Sequence, residues 1–214
     1  MAEALARIER HQMVQVDPAA WTSALSTLQQ GAEGTVVSEW AMRGWPLIGR
    51  RAACEDVEGL VPLGLPLPPS LGRHRLMFRL PPEVIRERRQ PPLLAACGVI
   101  APADWRTTID ELLAVDADVR CFGSLAWQWL TGLPYLTPTS DLDLLWTVRN
   151  AREANTMVER IAPVADRAPM HVDGELLLPS GRGVQWREWA SDTPDVMAKS
   201  MDGVAMVRRE ALFA

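Results

Sequence analysis

Residues 123–146 read GSLAWQWLTGLPYLTPTSDLDLLW. Near the end of this stretch Asp141, Leu142, Asp143 and Leu144 alternate carboxylate with leucine. Side chains alternate faces along a β-strand, so Asp141 and Asp143 are predicted to project together while the leucines enter a core. Two carboxylates held close repel each other, and a divalent cation relieves the repulsion. Oxygen ligands of this kind suit Mg²⁺, which takes one or two carboxylates and completes its shell with water and substrate phosphates. The pattern points to phosphoryl or nucleotidyl transfer.

Working outward, residues 119–123 read as a strand and 124–130 as a helix ended by Thr131-Gly132. The Asp-Leu-Asp strand runs over 141–148, and Asn150 caps a helix through Ile161. Residues 170–178 and 184–189 read as a hairpin around the loop 179–183. Upstream, 104–115 has helical spacing at Trp105, Ile109, Leu112 and Leu113. Residues 195–213 stay open between helix and short strands. Gly123 allows close approach of backbone to a ligand. Ser124, at a helix start, offers a hydroxyl and backbone N–H groups to a phosphate; it also fits a plain helix cap. Asp173 or Glu175, two residues apart on one strand face, is placed to complete a set of three carboxylates for a two-metal displacement. Glu175 as a solvated strand residue, or Asp173-Gly174 as a bulge, is the structural alternative.

The first hundred residues differ in character. Residues 1–12 read as a short helix, and Asp17-Pro18 starts another to about Gln30. Residues 35–41 alternate like a strand, with a return strand over 45–51. The Pro-rich segment 61–70 reads as an extended edge, since proline does not serve in a central strand. Residues 74–80 form a strand; helical stretches follow at 81–89 and 91–97. The expected architecture is α+β, with a small β-rich, Pro/Arg-rich domain over 1–100 and a mixed-sheet domain with flanking helices over 101–214.

The chain has 214 residues, 48% hydrophobic and 23% charged, with a formal net charge of −5. That balance argues against a general nucleic-acid surface. No apolar run is long enough for a membrane span, and the N-terminus lacks the order of a secretory signal. The three cysteines show no metal-ligand spacing. A reduced, cytoplasmic setting is expected. The segment from Arg73 to Arg89 holds six arginines against two glutamates; it reads as a solvated face or as a dock for phosphates or an acidic partner. Lys199 is the only lysine, and it falls after the hairpin, where an ammonium could neutralise a leaving pyrophosphate. His171 is the histidine nearest the acidic residues. Trp127 and Trp129 cannot share one helix face, so one of them is expected to reach a ligand or an interface.

Gly123-Ser124 with Asp141-Leu142-Asp143 resembles the signature of the nucleotidyltransferase superfamily, the DNA polymerase β-like fold, though with a longer gap between the two halves. The whole 123–146 string is similar to one family, the phosphoribosyl-dephospho-CoA transferases of malonate decarboxylase, also called malonate decarboxylase holo-acyl-carrier-protein synthases. WPLIGRR at 45–51, VPLGLPLP at 61–68 and VDGELLLPSGRGVQWREW at 172–189 share the resemblance. It implies triphosphoribosyl-dephospho-CoA as donor and a serine of the acyl-carrier subunit as acceptor, with pyrophosphate leaving. By motif match Asp141 and Asp143 would be metal ligands; strand order adds Asp173. A generic nucleotidyltransferase and a non-catalytic nucleotide-binding module are the alternatives, and an intact Asp-Leu-Asp speaks against the second.

Overall fold

A computed structural model describes residues 8–25, 34–53, 56–191 and 193–213. The expected helix over 1–12 falls mostly outside these, as does the far end of the one expected to reach Gln30. The chain divides into two units, residues 1–90 and 91–214, whereas the sequence placed the boundary at 100. Residues 91–97 go with the second unit because they line up on its first strand: Leu93 bridges Arg120, and Leu94 N–H donates to Val119 C=O at 2.8 Å.

The first unit is an antiparallel sheet of five strands, β1 (Met13–Val16), β2 (Leu47–Gly49), β3 (Val61–Pro66), β4 (Arg75–Leu80) and β5 (Ile85–Arg89), in the order β4-β3-β2-β1-β5. Helix α1 (Pro18–Leu25) starts as its sequence predicts: Asp17 accepts from the N–H groups of Ala19 and Ala20 at 2.8 and 3.3 Å, and Pro18 opens the first turn. Three expectations fail here. The alternating stretch 35–41 is largely helix α2 (Gly34–Glu39), because Val37, Trp40 and Ala41 are the residues buried, at helical rather than strand spacing. The expected helix at 81–89 is a single 3₁₀ turn followed by β5, an edge strand loaded with charge. The Pro-rich segment is an interior strand, β3. Pro62 C=O accepts from Arg50 N–H on the β2 side, and alternation turns residues 62, 64 and 66 the same way. Pro62 and Pro66 therefore turn their missing N–H groups toward β2, which pairs with β3 only at Gly64 and Leu63. Three of the six arginines of the Arg73–Arg89 segment pair with carboxylates: Arg79 with Asp56, Arg86 with Asp17 and Arg89 with Glu87.

The second unit is a six-stranded mixed sheet, β6 (Arg120–Phe122), β7 (Leu142–Thr147), β8 (Val172–Leu177), β9 (Gly183–Gln185), β10 (Asp195–Lys199) and β11 (Val204–Arg208), in the order β11-β10-β9-β8-β7-β6. Its helices are α3 (Leu94–Cys97), α4 (Arg106–Val115), α5 (Gly123–Thr131), α6 (Ala151–Ala165) and α7 (Trp186–Ala190). Only β7 and β8 run parallel, as a crossover through a helix requires, and α6 is that crossover. Asn150 caps α6 by accepting from Glu153 N–H. The sheet is two-faced. Leu142, Leu144, Trp146, Val172, Leu176, Val184, Val196 and Ala198 all point into the helix-covered core. Alternation sends Asp143, Asp173, Glu175, Gln185 and Lys199 to the opposite face. The second half of the expected hairpin strand, 186–189, is instead α7, and the open segment 195–208 is the hairpin β10–β11.

Candidate active site

The site is built on the ends of β6, β7 and β8. Asp143 on β7 is the register partner of Phe122 on one side and of Asp173 on the other. Adjacent strands lie about 4.8 Å apart, so Asp143 and Asp173 stand side by side on one face. Immediately after Phe122 the chain turns into α5 through Gly123, whose φ is +64°. A Cβ at this position would meet Asp143 Oδ2 at 1.9 Å and Cγ at 2.6 Å. Only glycine lets the start of α5 close onto that carboxylate. The contact has a purpose: Ser124 N–H donates to Asp143.

Asp143 is the electrostatic centre. Burial, then the charge on Asp173, then that on Asp141, push its carboxyl up to about 7, against the opposing hydrogen bond from Ser124 N–H. Asp173 is held in a fixed orientation. Its Oδ1 accepts from Gly174 N–H at 2.8 Å and from Gln185 Nε2 at 2.9 Å. Gly174 is required by packing, since a Cβ there would meet Leu144 O at 2.3 Å and the Trp146 ring at 2.7 Å. Asp141 is exposed and precedes β7, whose first residue is Leu142; it stands near enough to act on Asp143. The long gap between the two halves of the motif is an ordered loop. Gln128 Oε1 accepts from the N–H groups of Tyr135 and Leu136 at 3.1 and 2.9 Å, and Tyr135 stacks on Trp127. Trp127 is buried against that loop and Trp129 is 40% exposed.

The other candidates separate from this pair. Glu175 is buried and engages Lys199 Nζ at 3.2 Å. Lys199 lies on β10, with β9 between it and β8, and reaches Glu175 past Gly183, its own register partner. The ion pair gives both residues a structural duty. His171 is exposed, and its backbone carbonyl, accepting from Leu142 N–H at 2.9 Å, is what registers β8 on β7. Cys97 and Cys121 are buried thiols; burial, then Cys97, pushes Cys121 well up from its ordinary range.

Gln185 escaped the sequence reading. It donates to Asp173 through Nε2 while its Oε1 accepts from Glu188 N–H at 2.9 Å, capping α7. The two contacts fix which end of the amide faces Asp173. The signal was present as Gln185 with Glu188 three residues on, the spacing of a capping box.

Among the described residues no three His, Cys, Asp or Glu side chains converge into a ready cage for a metal ion. Two paired carboxylates, one pushed to about 7 by its neighbours and by burial, nonetheless fit a Mg²⁺ ion that brings water and phosphate oxygens as its remaining ligands. No described helix is long and apolar enough to cross a membrane.

Comparison with known proteins covers both units. The family described as phosphoribosyl-dephospho-CoA transferase MdcG, N-terminal domain, matches residues 9–91, and its C-terminal domain matches residues 93–210. A phosphoribosyl-dephospho-CoA transferase of Bradyrhizobium diazoefficiens is 37% identical over 209 residues, 96% of this chain and 92% of that protein. One from Xanthomonas campestris pv. campestris is 38% identical over 81% of this chain and 84% of its own length. One from Pseudomonas putida is 32% identical over 81% and 85%. No solved structure matches the chain at a significant level.

Proposed function

Because the chain belongs to the phosphoribosyl-dephospho-CoA transferase family and is an enzyme of that kind, we propose that it carries the phosphoribosyl-dephospho-CoA group from triphosphoribosyl-dephospho-CoA to a serine of the acyl-carrier subunit of malonate decarboxylase. The serine Oγ attacks the innermost phosphorus, a new P–O bond forms, and the bond to the departing pyrophosphate breaks. The observation that carries this is the pairing of Asp143 with Asp173 across β7 and β8, with the Gly123-Ser124 helix start closed onto Asp143. Strand, Gly-Ser, helix and a strand bearing Asp-Leu-Asp follow one another here as in the nucleotidyltransferase-like fold, to which we assign the second unit.

Asp141, Asp143 and Asp173 would hold Mg²⁺, which when bound supplies positive charge to the carboxylates and to the phosphates and lowers the pKa of an attacking hydroxyl. The protein's own parts are these. Ser124 N–H steadies Asp143 as an anion. The Ser124 hydroxyl stands at the helix start for a phosphate oxygen. Gly174 N–H and Gln185 occupy Oδ1 of Asp173 and leave Oδ2 without a protein donor among the described residues. Oδ2 is the acceptor for the serine proton. The test is a ranking. Asp173→Asn should cost orders of magnitude in rate under saturating donor and Mg²⁺, whereas Glu175→Gln should cost far less. The reverse ranking moves the role to Glu175.

A further inference from the structure

Arg187 is a half-buried cation with no anion beside it among the described residues. It lies on α7, two residues past Gln185. Its guanidinium carbon sits 4.2 Å from the centre of the Trp186 ring. One Nη donates to Val172 C=O over a long 3.4 Å, and that carbonyl also takes the Trp186 indole N–H at 3.3 Å. The Nε is buried with no hydrogen-bond partner. Among the described residues no carboxylate lies within ion-pair distance of it, in contrast to Arg50, Arg79, Arg86, Arg89, Arg149 and Arg167. An exposed guanidinium needs no counter-ion, because water solvates it. One taken partly out of water loses that solvation and is stabilised by an anion that replaces it.

The position of this cation says which anion. Val172 heads β8, immediately before Asp173, and is the register partner of Leu142, immediately before Asp143. Arg187 therefore lies at the end of β8 that carries the carboxylate pair, on the same turn as the Gln185 that holds Asp173. A polyphosphate approaching two carboxylates is repelled unless a cation draws it in. Lys199, the chain's one lysine, is engaged with buried Glu175, two residues along β8 from Asp173. A guanidinium presents a planar fork of N–H donors that matches phosphate oxygens, and its stacking on Trp186 keeps that fork in one plane.

We propose that Arg187 binds the outer phosphates of the donor and retains the departing pyrophosphate. This rests on the transferase reading above and names the group that receives the leaving anion. The probe is inorganic pyrophosphate with Mg²⁺, titrated by calorimetry into the full-length protein, together with the Michaelis constant for donor. Arg187→Met keeps an apolar stem over Trp186 and removes the charge. Losing one charge-assisted contact predicts roughly a tenfold or greater drop in pyrophosphate affinity and a parallel rise in donor KM. The KM for carrier protein should not move. Arg187→Lys, which keeps the charge without the fork, should fall between. Wild-type pyrophosphate affinity in a folded Arg187→Met protein overturns the proposal; if that variant does not fold, wild-type affinity in Arg187→Lys overturns it equally. The two readings fail differently. A wild-type protein that transfers normally beside an unaffected Arg187→Met protein refutes only the role of Arg187. A wild-type protein that neither binds pyrophosphate nor transfers refutes both.

Discussion

Asp143→Asn should make the protein more stable at alkaline pH and leave it unchanged at acidic pH. An aspartate in an unfolded chain titrates near 3.9, and in the folded protein burial and the neighbouring Asp173 and Asp141 raise Asp143 to about 7. Between those values the folded state binds a proton that the unfolded state does not, so stability falls as pH rises through the window and levels off above it. Three units at about 1.4 kcal/mol each put the ceiling at about 4 kcal/mol. Carboxylates whose values are lowered in the fold, such as Asp56 beside Arg50 and Glu153 beside Arg149, lose their contribution only at more acidic pH and leave the window clear. Asparagine keeps an oxygen for the Ser124 N–H and has no charge to bury. The assay is urea unfolding of metal-free wild type and variant at pH 4.5, 6 and 8. Hydrogen exchange at β7 and β8 amides identifies the unit that responds. The variant's advantage should be no more than about 1 kcal/mol at pH 4.5 and grow to about 2–4 kcal/mol at pH 8. Added Mg²⁺ should close the gap by stabilising the wild type alone. An advantage that does not change with pH, or one confined to the first unit, would refute the reasoning.

Other substitutions test separate parts of the site. Gly123→Ala forces a Cβ onto the Asp143 carboxylate in a left-handed backbone, so thermal unfolding should show a loss of about 2 kcal/mol or more with transfer abolished. Gln185→Glu still accepts from Glu188 N–H and so keeps the cap of α7, but it faces Asp173 with an acceptor. The melting temperature should hold within about 2 °C while kcat falls at least about tenfold, which separates positioning from folding. Lys199→Ala removes the ammonium that engages buried Glu175; denaturation should show a loss of about 1–3 kcal/mol with donor KM unchanged, and a raised donor KM would restore Lys199 to phosphate binding.

The sequence carried the second unit further than the first. The Asp141–Leu144 alternation, the Trp105, Ile109 and Leu112 spacing and the Asn150 cap each state their element locally, and the structure has a strand or helix at each. Residues 35–41 misled because Val36, Ser38 and Trp40 alternate while burial follows Val37, Trp40 and Ala41. β3 was taken for an edge because the cost of proline depends on which side its nitrogen faces, and the partner strand decides that. The face shared by Asp143, Asp173, Glu175 and Lys199 was inferable from period-two alternation. The ion pair that ties Lys199 to Glu175 was not, because it depends on β9 standing between β8 and β10. Gln185 and Arg187 were hidden for a similar reason. Their roles exist only because β9 stops at Gln185 and α7 begins at Trp186.

The central claim is that the carboxylate pair on β7 and β8 drives transfer to the carrier. Its most direct test is the intact mass of purified acyl-carrier subunit after incubation with triphosphoribosyl-dephospho-CoA, Mg²⁺ and the protein, with Asp143→Asn and Asp173→Asn proteins run beside the wild type. The wild type should add one phosphoribosyl-dephospho-CoA group to a single serine and release one pyrophosphate per carrier. Both variants should leave the carrier at its original mass over the same time while remaining folded. A carrier modified at near wild-type rate by either variant would contradict the account.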